Sequence, residues 1–131
     1  MTPSKFDMPV VLIVEDEPLL RMMAADIVED AGCMAIEASN ADEAIVLLES
    51  RSDIRIVFTD IDMPGSMDGL KLAAAIRDRW PPVEIIVTSG VSMKAADALP
   101  DRAVFFPKPY DQRMILATLH RMAALPGLPG L

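Results

Sequence analysis

Two patterns alternate five times along this chain, and that alternation limits the fold more than any other feature. Short β-branched or apolar runs stand at Val10-Val-Leu-Ile-Val14, Met34-Ala-Ile-Glu-Ala38, Ile54-Arg-Ile-Val-Phe-Thr59, Val83-Glu-Ile-Ile-Val-Thr88 and Ala103-Val-Phe-Phe106. The first, third and fourth are apolar almost throughout, as strands covered on both faces are. Segments of helical period lie between and after them. In Pro18–Ala31, Leu19, Leu20, Met23, Ala24, Ile27, Val28 and Ala31 form one stripe. Pro18 suits the first helical turn, and Gly32 suits the left-handed position after the last. Asn40–Ser50 carries Ala41, Ala44, Ile45 and Leu48 inward, with Ser39 or Asn40 as cap. Asp68–Trp80 carries Leu72, Ala73 and Ile76, and Pro81-Pro82 stops it. A short helix is expected over Ser92–Leu99, stopped by Pro100. A last one is expected over Tyr110–Leu125, with Ile115, Leu116, Leu119 and Met122 inward.

Strands that alternate with helices form a parallel sheet with helices packed on it, because each return to the same edge needs a crossover. Right-handed crossovers leave few topologies. The expected architecture is α/β: a doubly wound, five-stranded parallel sheet of order 2-1-3-4-5, flavodoxin-like, with five helices on both faces. The expected domain is 8–124, with an N-terminal tail over 1–7 and a Pro/Gly-rich C-terminal tail over 125–131.

Composition narrows the partners. The 131 residues carry 12 Lys+Arg against 20 Asp+Glu, a formal charge of −8. A nucleic-acid module needs a positive footprint, and an anionic membrane surface attracts basic segments, so neither is expected as a partner. The single cysteine, Cys33, allows no intrachain disulfide and no multi-cysteine zinc site. No run approaches the ~20 apolar residues of a membrane span, and the N-terminus lacks a signal peptide's pattern. The expected setting is cytoplasmic.

In a sheet of this kind function gathers beyond the carboxyl ends of the strands. Glu15-Asp16-Glu17 follows the first run. Asp60, then Ile61-Asp62-Met63-Pro64-Gly65, follows the third. Thr88-Ser89-Gly90 ends the fourth, and Phe106-Pro107-Lys108-Pro109 ends the fifth. One rim therefore collects several carboxylates, a hydroxyl and an amine. Carboxylates ~4 Å apart repel by several kcal/mol at an intermediate dielectric, so one binds a proton or a cation joins them. Hard oxygen ligands beside room for water suit Mg²⁺. Lys108 can meet a phosphate as a point cation, and Ser89 or Thr88 can donate to a phosphoryl oxygen. Together these groups suit phosphoryl transfer to a carboxylate nucleophile.

These residues resemble the receiver domain of two-component response regulators, of the single-domain, chemotaxis-regulator type. The resemblance rests on Val11-Leu-Ile-Val-Glu-Asp-Glu-Pro18, Thr59-Asp-Ile-Asp-Met-Pro-Gly65 with Met67-Asp-Gly-Leu70, Ile85-Ile-Val-Thr-Ser-Gly90 and Lys108-Pro109-Tyr110, and it spans roughly residues 8 to 124. It implies that Asp60 is the phospho-acceptor. Asp16 and Asp60 would ligate Mg²⁺, Glu15 would act on it through water, and the backbone carbonyl of Asp62 would complete the protein's ligands. Lys108 would bind the phosphoryl group, Ser89 would be the switch hydroxyl, and Phe105 the aromatic that follows it inward. The Lys108-Pro109 bond is expected cis, an isomer accessible at ~0.5–1 kcal/mol before proline. The implied partner is a sensor histidine kinase or a histidine phosphotransfer protein, and the chain is expected as a monomer or weak homodimer. The chain would be a signalling domain and not an enzyme, acting through a downstream protein target or as a phosphoryl sink.

Some positions depart from the common pattern. Glu15 stands where many relatives have Asp. The loop Gly65-Ser66-Met67-Asp68-Gly69 is one residue longer than usual, which favours Ser89 over Thr88 as the hydroxyl. An acid at Asp62 could order or repel a water that attacks the acyl phosphate, and the sequence leaves the sign open. Other residues have plainer readings: Glu17 as charge at a helix start, Cys33 as a packing residue, His120 as solvent-facing, Trp80 as a packing cap. Met22 and Ala25, read as lying off the apolar stripe of their helix, are candidate partner contacts.

Two rival functions stand beside this one. Asp60-Ile-Asp62 imitates the Asp-x-Asp start of haloacid-dehalogenase-type phosphatases, an Mg-dependent aspartyl-phosphate chemistry. That motif follows a first strand, however, whereas here it follows the third and has Pro64 at its fifth position. The other rival is a receiver-like binding module that is never phosphorylated. No Gly-x-Gly-x-x-Gly or Walker-type motif follows the first run, so nucleotide binding is not expected.

Overall fold

The structure is a computed structural model, and it describes residues 8–62, 68–90 and 99–124. Five strands, β1 (Val10–Val14), β2 (Met34–Ala38), β3 (Ile54–Asp60), β4 (Glu84–Ser89) and β5 (Ala103–Pro107), form one sheet of order β2-β1-β3-β4-β5. All four pairings are parallel. Among the described residues there are four helices: α1 (Pro18–Asp30), α2 (Ala41–Ser50), α3 (Gly69–Arg79) and α4 (Gln112–Ala123). The expected short helix at 92–99 falls almost wholly on 91–98, outside the described residues, as do both tails and the loop from Met63 to Met67.

The period-two geometry of a strand sends alternate side chains to opposite faces, and each face has its own core. Leu12, Val14, Val57, Ile85 and Val87 pack with Ala44 and Leu48 of α2 and Leu72, Ala73 and Ile76 of α3. Val11, Ile13, Ile56, Phe58 and Ile86 pack with Ala24, Ile27 and Val28 of α1 and Ile115, Leu119 and Met122 of α4. The inner strands are buried nearly end to end, whereas β2 and β5 are half-exposed edges. That contrast explains why the inner runs lack polar alternation and the edge run at 34–38 reads weakly.

The helix ends follow local chemistry. Asn40 caps α2 by accepting from the Glu43 N–H at 2.8 Å, and Glu43 reaches back to the Ser39 N–H and hydroxyl. Asp68 caps α3 by accepting from the Lys71 N–H. Gly32, with φ of 79°, takes the left-handed position after α1. The last helix starts two residues later than expected, because Asp111 caps it and not a residue before Tyr110.

The reading of α1 needs one correction. Leu19 and Met23, placed on the inward stripe, are exposed, while Ala25, offered as a surface contact, is buried. The stripe is rotated: α1 crosses the sheet so that Ala24, Ala25, Ile27, Val28 and then Ala31 face the core. Its N-terminal half leaves Leu19, Met22 and Met23 exposed. The expected placements of Cys33 (buried) and His120 (exposed) agree with the structure. Trp80 is half-buried against the α2/α3 core with the Arg79 guanidinium over its ring.

Candidate functional site

The carboxyl ends of β1, β3, β4 and β5 meet at one rim. Register places Val14 beside Thr59, Asp60 beside Thr88, and Ser89 beside Pro107. Backbone pairing runs one step past the strands: the Glu15 N–H donates to the Ala38 carbonyl, Ile61 to Thr88 and Lys108 to Ser89. Residues from distant parts of the sequence therefore stand about one strand spacing apart.

Asp60 is at the centre and only 5% exposed. The Lys108 ammonium donates to its Oδ2 at 2.7 Å, and the Asp62 N–H donates to its Oδ1 at 3.0 Å. Lys108 also lies 3.6 Å from Glu15 Oε1. Carboxylate oxygens of Glu15, Asp16 and Asp60 all come within 4.8 Å of one another. Burial, a hydrogen bond with Asp16 and the charge of Asp60 push the Glu15 carboxyl up to about 7, against the opposing effects of the Glu17 N–H and Lys108. Burial acts to lower the Lys108 pKa, but its hydrogen bond and ion pair with Asp60, with Glu15 adding to them, hold it above its ordinary value. The ammonium therefore stays charged at neutral pH. It neutralises one of the clustered acids and leaves the rest to be joined by a proton or a cation. Three close carboxylates on a partly open rim form a hard-oxygen donor set that fits a divalent ion such as Mg²⁺.

The remaining expected residues take these places. Ser89 is buried at the end of β4, and its hydroxyl donates to Asp62 Oδ2 at 3.0 Å. The Gly90 N–H donates to the same oxygen at 3.2 Å. Thr88 is buried and lines a cavity of about 380 Å³ that also borders Glu15, Asp60 and Lys108 and is walled by Phe58 and Tyr110. The Asp62 carboxylate lies outside the three-acid cluster, so only its backbone carbonyl remains available to the ligand set expected of it. Phe105 is half-buried on the α2/α3 face. The Lys108–Pro109 peptide is cis.

Three contributors were given no role from sequence, although Gly69 and Tyr110 stand inside motifs that carry the resemblance. Arg21 donates to the Glu15 carbonyl at 2.9 Å and pairs with Glu37, which braces the acidic turn against β2. Gly69 opens α3 directly against the Asp60 backbone. Tyr110 tilts against Phe58, with ring centroids 6.1 Å apart, and walls the cavity. Gly69 and Tyr110 left a sequence signal as motif residues, whereas Arg21 left none.

Comparison with known proteins agrees with this geometry. A family model described as the response regulator receiver domain matches residues 11–120. Similar curated proteins include the response regulator protein FleR of Pseudomonas aeruginosa, 33% identical over 89% of this chain and 25% of its own length. The sensor kinase CckA of Brucella abortus is 34% identical over 86% of this chain and 12% of its own. This chain thus spans a quarter or less of those two relatives. Among solved structures, a response regulator receiver protein from Pseudomonas putida superposes with a TM-score of 0.77 at 28% identity, covering 87% of this chain and 97% of that one. One from Sinorhizobium medicae superposes at 0.83 and 24% identity, covering 90% and 96%, and shows the same fold. With the family model matching most of its length, the chain belongs to the response regulator receiver domain family.

Proposed function

We propose that Asp60 accepts a phosphoryl group from a phosphohistidine, carried by a sensor histidine kinase or a histidine phosphotransfer protein. The new state would then be read by a downstream protein or discarded by hydrolysis. The observation that carries this reading is the grip on Asp60. Its buried carboxylate is held at one oxygen by an ammonium and at the other by a backbone N–H, beside two more acids.

Transfer forms a bond between phosphorus and an Asp60 oxygen while the phosphorus–nitrogen bond of the donor breaks. The electron pair stays on the imidazole nitrogen, and nothing is oxidised or reduced. Lys108 orients Asp60 and offers its positive charge to the phosphoryl oxygens. Glu15, Asp16, Asp60 and the backbone carbonyl of Asp62 are the groups that would hold Mg²⁺. When bound, that ion supplies charge neutralisation for the acids and the phosphoryl oxygens. Ser89 then donates to a phosphoryl oxygen, and Phe105 follows on the face of β4 and β5. This shifts the balance between two surface conformations. A cytoplasmic setting and a monomeric or weakly dimeric state belong to the same reading, as does output through partner binding or as a phosphoryl sink.

The phosphatase alternative has less support, because its second aspartate must act on the substrate and the Asp62 carboxylate is turned to Ser89 and Gly90. The test is labelling by radioactive acetyl phosphate with and without Mg²⁺. Wild type should label as a hydroxylamine-sensitive acyl phosphate only with the ion, and Asp60→Asn should not label at all. Equal labelling of Asp60→Asn would refute the assignment.

A further inference from the structure

We infer that the Asp62 side chain is a latch on the switch hydroxyl: it holds Ser89 in the resting position and must release it for the phosphorylated state to form. The inference rests on the phospho-acceptor reading above and assigns a positioning residue to it.

Asp62 has two contacts that point in different directions. Its backbone N–H faces Asp60 Oδ1 at 3.0 Å, while its side-chain Oδ2 accepts from the Ser89 hydroxyl at 3.0 Å and from the Gly90 N–H at 3.2 Å. A serine hydroxyl has a single proton to donate. A proton given to Asp62 Oδ2 is unavailable to a phosphoryl oxygen on Asp60, so the two bonds exclude each other. The resting bond joins a hydroxyl only 2% exposed to a carboxylate oxygen 3.0 Å away. The Gly90 N–H fixes the carboxylate from a second side, so the acceptor is held in place at the end of β4. Asp62 itself is exposed, and water can solvate it once Ser89 leaves. In the resting state Asp62 opposes activation, because it stabilises the state in which the hydroxyl faces away.

The negative charge of Asp62 could also oppose a phosphoryl group through its field alone, and the test separates the two causes. Wild type, Asp62→Ala, Ser89→Ala and the double variant are titrated with beryllofluoride in saturating Mg²⁺, followed by amide resonances. The latch predicts that Asp62→Ala tightens beryllofluoride binding about five- to tenfold when Ser89 is present, and less than twofold in the Ser89→Ala background. In the beryllofluoride-free protein, Asp62→Ala should also move the Gly90 amide proton upfield, and Asp62→Asn, which keeps an oxygen acceptor, should restore most of that shift. An equal gain in both backgrounds would leave only the field effect and overturn the latch. So would no gain at all, or an unmoved Gly90 resonance. A wild-type protein that ignores beryllofluoride while its Gly90 resonance responds as described would instead overturn the phospho-acceptor reading, and this inference with it.

Discussion

Gly69 lies so close to Asp60 that a Cβ on it would stand 2.2 Å from the Asp60 carbonyl oxygen and 2.6 Å from the Ile61 Cα. Both obstacles are backbone, so neither can rotate away. The first residue of α3 thus sets how far the end of β3 can rise. Gly69→Ala should destabilise the fold by about 1–3 kcal/mol, the usual range for forcing atoms into a filled site. It should also displace Asp60 and slow acetyl phosphate labelling at least roughly tenfold, since small misplacements of reacting groups are costly. Urea unfolding and labelling rates on one preparation check both outcomes.

The acid cluster sets a pH dependence of stability in metal-free protein. Glu15 has its folded pKa raised to about 7 from an ordinary value of 4.5. Between those values the folded state binds more protons than the unfolded one, so stability falls as pH rises and levels off above about 7. The fall attributable to Glu15 is at most about 3–4 kcal/mol, at ~1.4 kcal/mol per pKa unit. Glu15→Gln should flatten the profile. Urea midpoints at about pH 5 and about pH 7.5, in chelator, measure it.

Mg²⁺ should act in the opposite sense at neutral pH. A ligand that binds only the folded state stabilises it by about 1.4 kcal/mol at roughly ten times its dissociation constant. Asp16→Ala removes one of the three clustered carboxylates. It should abolish most of the Mg²⁺-induced rise in thermal midpoint while changing the metal-free midpoint little. An unaltered rise in that variant would move the ion elsewhere.

The cap of α2 lies away from the chemistry and should separate stability from function. Asn40→Ala loses the bond from the Glu43 N–H and should cost about 1 kcal/mol. Its labelling by acetyl phosphate should match wild type at temperatures where both are folded.

The legible part of this molecule was the part written in local periodicity and in motif. β1 and β2 match their runs residue for residue, because β-branched stretches bounded by polar turns have little alternative. The meeting of Glu15, Asp16, Asp60 and Lys108 followed from strand order, since a parallel sheet delivers every carboxyl end to one rim. The facing of α1 was misread at Leu19, Met23 and Ala25 because a helix packed on a sheet need not bury its N-terminal half, and crossing geometry is a property of the packed pair. The bond from Ser89 to Asp62 and the approach of Gly69 were hidden for a similar reason. Each depends on where a loop lies in space, and no spacing along the chain records it.

Glu15 and Lys108, the two ends of the charged rim, lie near opposite ends of the domain, and Asp60 lies between them on a third strand. No short fragment contains all three groups, and a chain that has not yet reached β5 lacks Lys108. The grouping is complete only when β5 docks beside β4, at the edge of the sheet. Cleavage before β5 would therefore remove the ammonium from Asp60 while leaving the three acids in the fragment.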